Sequence, residues 1–265
     1  MSRDSIMAPI AGPPANLQRA LWQGLQAVWD HLGLMVAMGL TGSLLVCATL
    51  SMLPLLPRAL PPTADRFAGL ALLVVAVSLP AGGACAMAHR IGVQESVCYA
   101  GFWREGLRLW YPMLQLSLVH LIVLFVLLNG IVFYAHRGGL FGIAGGTCCL
   151  YALLFWFMMA CHHAPLLAAQ AAGEMHGGRR CLSPVMRRAF YLTLARPFYT
   201  LGLLTVLLLL AAVLAFTGML ALLLWPGALF VPATTASRAL WIQYGLVRVP
   251  RNEPVVPDEA FRLRI

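Results

Sequence analysis

Between Arg196 and Arg238 the chain runs for 41 residues without a charged side chain. Soluble domains carry roughly 25% charged residues, and only 10% of this chain is charged. One helix spanning that block would extend about 60 Å, roughly twice the hydrocarbon thickness of a bilayer. The block therefore reads as two membrane helices, about 197–216 and 219–238, joined by a turn near Thr217 and Gly218. Four further apolar runs lie at about 32–53, 67–88, 109–134 and 140–170, with Pro54 and Pro57 ending the first. Each comes near or above the ~20 residues that a crossing needs. The predicted fold is an all-α integral membrane protein with six transmembrane helices.

The basic residues orient it. All eighteen are arginine, and six crossings place fifteen on one side and three (Arg58, Arg66 and Arg137) on the other. Short loops rich in arginine stay cytoplasmic. The expectation is a multi-pass protein of a bacterial inner membrane with both termini in the cytoplasm. Residues 1–14, with Pro9, Pro13 and Pro14, read as a disordered tail, 15–247 as one membrane domain and 248–265 as a cytoplasmic tail. The first apolar run follows a long polar stretch and no small-residue cleavage site, so it reads as a retained anchor. The net charge of +9 sits at the ends of apolar runs and not on one basic face. The expected partner is thus anionic phospholipid and not nucleic acid.

A repeat is visible in the layout. Amphipathic stretches at 16–31, about 98–109 and about 184–196 each lead into a hydrophobic hairpin. The distances Pro80 to Pro112 and Pro165 to Pro197 are both 32 residues. Every second crossing carries proline followed by small residues: Pro80-Ala-Gly-Gly-Ala-Cys-Ala, Pro165-Leu-Leu-Ala-Ala, and Pro232-Ala-Thr-Thr-Ala-Ser, with Pro226 one turn and a half earlier. Each proline frees the carbonyl four residues before it and bends the helix. Pro80, Pro165, Pro226 and Pro232 are therefore candidate kink or gating positions. Three units, each an interfacial helix plus a hairpin, account for the pattern.

Several stretches bear a family likeness: Leu79-Pro-Ala-Gly-Gly-Ala-Cys-Ala-Met-Ala-His-Arg90 with Phe102-Trp-Arg-Glu-Gly-Leu-Arg108, then Asn129-Gly-Ile-Val-Phe-Tyr134, Leu154-Phe-Trp156, Ala164-Pro-Leu-Leu-Ala168, and Arg188-Ala-Phe-Tyr-Leu-Thr-Leu-Ala-Arg-Pro-Phe-Tyr-Thr200. Over roughly 20–245 the chain resembles the YesL-like family of bacterial membrane proteins. It departs from them in a longer proline-rich loop at 54–62 and an insertion at 171–178. The resemblance implies a membrane bundle without defined catalytic residues, and an accessory role, since such proteins often accompany carbohydrate-uptake genes.

Few side chains offer chemistry. All nine acidic residues fall in tails, loops or surface helices on this layout, which argues against ion-coupled transport through a buried carboxylate. Gln115, His120 and Asn129 share the third crossing and make a candidate intramembrane polar site. His162 and His163 are neighbours, and adjacent helical positions point about 100° apart, so they are poorly placed to chelate one ion. No HxxxH or HExxH spacing occurs, and no zinc site or disulfide framework follows from the seven cysteines. No cofactor is expected, and no Ser–His or paired-Asp constellation is visible inside the crossings. Arg179, Arg180, Arg187 and Arg188 form the densest basic cluster, a candidate contact for lipid phosphate or a cytoplasmic partner. Gly142 to Gly146 gives a GxxxG spacing and Gly82 to Ala86 a similar pair, suited to helix packing within the chain or to a homodimer. No loop is long enough for a soluble catalytic domain. The expected function is a non-enzymatic accessory or interaction subunit linked to solute uptake or envelope physiology. The alternatives are a small-solute transporter or channel using the kinked helices and, third, a haem- or metal-binding membrane protein.

Overall fold

The computed structural model describes residues 15–52, 62–93, 95–175 and 182–247. Eight helices occupy them: α1 (Leu17–Asp30), α2 (Leu32–Met52), α3 (Pro62–Gly92), α4 (Tyr99–Arg137), α5 (Gly139–Ala171), α6 (Leu182–Ala195), α7 (Pro197–Phe216) and α8 (Met219–Gln243). Among the described residues there is no strand, only an isolated antiparallel bridge between Met175 and Val247. Five helices, α2, α3, α4, α5 and α7, are long and apolar enough to cross a membrane. The chain is an all-α membrane protein. The 25-residue α8 follows α7 after Thr217 and Gly218, whose φ of +55° suits a residue without a Cβ.

The helices α3, α5 and α8, which carry Pro80, Pro165 and Pro232, pack on one another, with α4 lying along α3 and α1 along α8. Pro80, Pro165 and Pro232 are buried within them, and Pro226 also falls within α8. The core is concentrated at the arginine-rich end. There, Phe102, Leu109, Leu166, Val185, Leu240 and Trp241 are essentially inaccessible. Toward the opposite end, Phe125, Val126, Phe133, Phe141 and Ile143 on the α4–α5 hairpin are exposed, an apolar surface that lipid would cover.

Two expectations change here. The stretch 98–109 is no separate surface helix, since α4 runs unbroken for 39 residues and takes Pro112 in its interior. By contrast, α6 and α7 do separate at Arg196, which adopts φ −141° and ψ 68° ahead of Pro197. A residue before proline is pushed out of the helical region by the ring. In α4 the turns before Pro112 are instead held against α3: a Cβ on Gly83 would stand 2.6 Å from the carbonyl oxygen of Phe102, and one on Gly106 3.0 Å from that of Leu79. Glycines at both positions let the two backbones touch.

The second change concerns α1. Asn16 caps it through Arg19 N–H, and Ala20, Leu21, Gly24 and Val28 are buried. The buried face meets α8 and not lipid: a Cβ on Gly24 would lie 2.8 Å from the Pro232 Cα. The face carrying Trp22, Leu25 and Trp29 is exposed. The small-residue spacings act within the chain, Gly142 against the Tyr134 carbonyl and Gly82 against Leu109.

Candidate functional site

Two polar clusters stand out. The first lies inside the bundle. His162 is fully buried, with Nδ1 2.9 Å from Ser237 Oγ and Nε2 3.3 Å from Thr200 Oγ1. Thr200 Oγ1 donates to the Arg196 carbonyl at 3.1 Å, so it accepts from His162 Nε2–H. The Nδ1 lone pair then accepts from Ser237 O–H. This chain of donors satisfies every member and ties α5, α8 and α7 together. A Ser–His pair is thus present, formed by residues 75 positions apart, which is why no local motif betrayed it. Both are 0% exposed, and the pair clamps α5 to α8.

Beside it, His163 is buried, with Nδ1 3.3 Å from His120 Nε2. His120 Nδ1 is 2.8 Å from the Leu116 carbonyl, fixing the proton on that nitrogen. The Trp156 ring packs edge-on against both imidazoles. The neighbouring histidines therefore reach into the bundle in different directions. Of the predicted polar trio, only His120 joins this cluster. Asn129 is exposed and bonds back to the Phe125 carbonyl, and Gln115 is half-buried on another part of α4. No three His, Cys, Asp or Glu side chains converge to hold a metal among the described residues.

The second cluster lies at the arginine-rich end. Glu105 is only 8% exposed, contrary to its expected place on a surface helix, because α4 buries its first turns against α3. It accepts from Arg90 Nη2 at 2.8 Å and from Arg108 Nη1 at 3.4 Å. Arg108 also donates to the Ala171 carbonyl at 3.1 Å, and the buried Arg238 to that of Gly92. These carbonyls are the last of α5 and α3, where helices leave acceptors unpaired and the dipole is negative. Two arginines of the charge bias thus cap helix ends, Arg238 from a buried position and Arg108 from an exposed one. His89 Nε2 lies 3.1 Å from Glu174 Oε1, and a cavity of about 280 Å³ opens between them and the Glu105 group.

Burial opposes the charge on Glu174, yet the hydrogen bond with His89 and the positive fields of His89 and Arg238 prevail, so its carboxyl sits below the ordinary value. The folded protein therefore holds this proton less tightly than the unfolded chain. Its stabilising contribution is present at neutral pH and is lost as pH falls below about 4.3 through the lowered pKa. The difference in melting temperature between the native protein and Glu174→Gln should shrink from pH 7 to pH 3. A constant difference would assign the group no such role.

Of the four clustered arginines, Arg187 is exposed, with its guanidinium 5.6 Å from the centroid of the Tyr191 ring. Arg188 lies 3.0 Å from Met175 Sδ, and Arg179 and Arg180 fall outside the described residues. The fold and these clusters define an all-α membrane protein with a buried histidine cluster in an apolar core and a charged end. Comparison with protein-family models, curated proteins and solved structures yields no match.

Proposed function

We propose that the chain is a bacterial inner-membrane protein of six crossings, α8 being the sixth, with both termini cytoplasmic. It has no enzymatic activity and serves as an accessory or interaction subunit in solute uptake, carbohydrate included, or in envelope physiology. The likeness to YesL-like proteins belongs to this proposal and supplies the link to sugar uptake. What carries the reading is the contact among α3, α5 and α8. Cys85, Ala169 and Leu240 meet there at 0% exposure in one apolar cluster, a packed centre and not a polar lining. The exposed α4–α5 hairpin offers a membrane partner, or a second copy, an apolar surface to lie against.

The reading is tested by purification from native membranes in mild detergent, where a partner is expected to accompany the chain. Recovery as a lone monomer would count against it. Orientation is tested separately at Cys98, which is exposed ahead of α4. A membrane-impermeant maleimide should reach it only after the cytoplasmic face is opened, and labelling in intact spheroplasts would reverse the topology. One observation favours the transporter alternative: buried Glu105 and half-buried Glu174 flank the cavity between α3, α4 and α5, and carboxylates in such places are the usual sites of ion coupling.

A further inference from the structure

A second cavity, of about 410 Å³, lies between the end of α3 and the start of α4. Arg90, Arg104 and Arg108 line it, and Glu105 is its one acidic side chain. The balance is two net positive charges. Glu105 is occupied by Arg90 and Arg108, and Arg104 pairs with no carboxylate among the described residues. A guanidinium has five N–H donors, so the two paired arginines also keep donors to spare. Ala100 and Gly101, in the first turn of α4, complete the wall. There the positive end of a 39-residue helix adds to the field, and Cys98 provides no side-chain cap.

The aromatic residues give the depth. Tyr99, Trp110 and Tyr111 are exposed, before and after Arg104 on the same helix. Tyrosine and tryptophan collect at the level of lipid headgroups, and Arg104 lies among them.

We infer that this cavity binds a phosphate group, carried by an anionic phospholipid headgroup or by a small soluble phosphate ester. Arginine forks match phosphate oxygens in a way that a diffuse basic surface does not. The site is independent of the accessory role, and it differs from the predicted contact at Arg187 and Arg188, which lies on α6.

Two arms of one experiment separate the sources. In the first, native mass spectrometry of the purified protein compares retention of phosphatidylglycerol with that of phosphatidylcholine. In the second, calorimetry measures binding of inorganic phosphate and glycerol phosphate. Each is run on the native protein, Arg104→Ala, Arg104→Gln and Arg187→Ala, after melting curves establish which variants are folded. Preferential binding in either arm, weakened about tenfold in both Arg104 variants and less than twofold in Arg187→Ala, is expected of one lost charge-assisted contact. The responding arm names the source. Binding unchanged in both Arg104 variants overturns the site, as does an equal loss in Arg187→Ala, which would reduce the effect to general surface charge. Arg104-dependent binding by a protein that purifies without a partner would leave this site standing and retire the accessory reading.

Discussion

Replacing His162 with alanine is expected to cost the folded protein about 3 kcal/mol, from two lost interhelical hydrogen bonds and a cavity of imidazole size. His162 bonds to both Ser237 on α8 and Thr200 on α7, and all three are fully buried. Its removal leaves a hydroxyl on each neighbouring helix with one partner fewer in an apolar surround. Interhelical hydrogen bonds inside membranes average about 0.6 kcal/mol, so Ser237→Ala alone should cost far less. The measurement is the unfolding free energy of each variant in mixed micelles. Equal losses in His162→Ala and Ser237→Ala would mean that the imidazole is not the hub. The same burial predicts that a fluorophosphonate probe leaves Ser237 unlabelled in the folded protein.

Gly83→Val should be at least as damaging, about 3 kcal/mol or more. Overpacking a tight core costs about 1–3 kcal/mol even where side chains can yield, and here the obstacle is backbone. The new Cβ would meet the Phe102 carbonyl oxygen at 2.6 Å. α3 and α4 would have to separate, pulling Arg90 away from Glu105, which it now holds at 2.8 Å. Gly92→Ala is a suitable control, because a Cβ there meets only Thr235 and Thr234 methyl groups at 3.9–4.0 Å. A Gly83→Val protein that expresses and melts like the native one would sink this account of the α3–α4 contact.

Much of the fold is legible in the chain because the relevant signals are local. The length of an apolar run and the proline at its inner end can be read within about twenty residues. The turn at Thr217 and Gly218 follows from a helix too long for a bilayer. The position of Glu105 is not local in this sense: its surroundings alternate polar and apolar residues like those of an interfacial helix. Whether such a helix lies along lipid or against α3 depends on Gly82, Gly83 and Gly106 meeting across the gap between two helices. The histidines raise the same difficulty more sharply. His162 and His163 differ by one position, yet one meets Ser237 and Thr200 and the other His120.

The sequence by itself determined that this protein is helical and membrane-embedded, since hydrophobic length and scarcity of charge are properties of each segment alone. Only the tertiary structure decided which polar groups meet. Those meetings depend on how each helix is rotated and how near it can come, and both are set by glycine, alanine and proline contacts between segments far apart in the chain. The arginine bias shows the division well. Its count can be read from composition, but Arg108 and Arg238 cap helix ends while Arg104 faces a cavity. That distinction exists only once the ends of α3, α4, α5 and α8 are brought together.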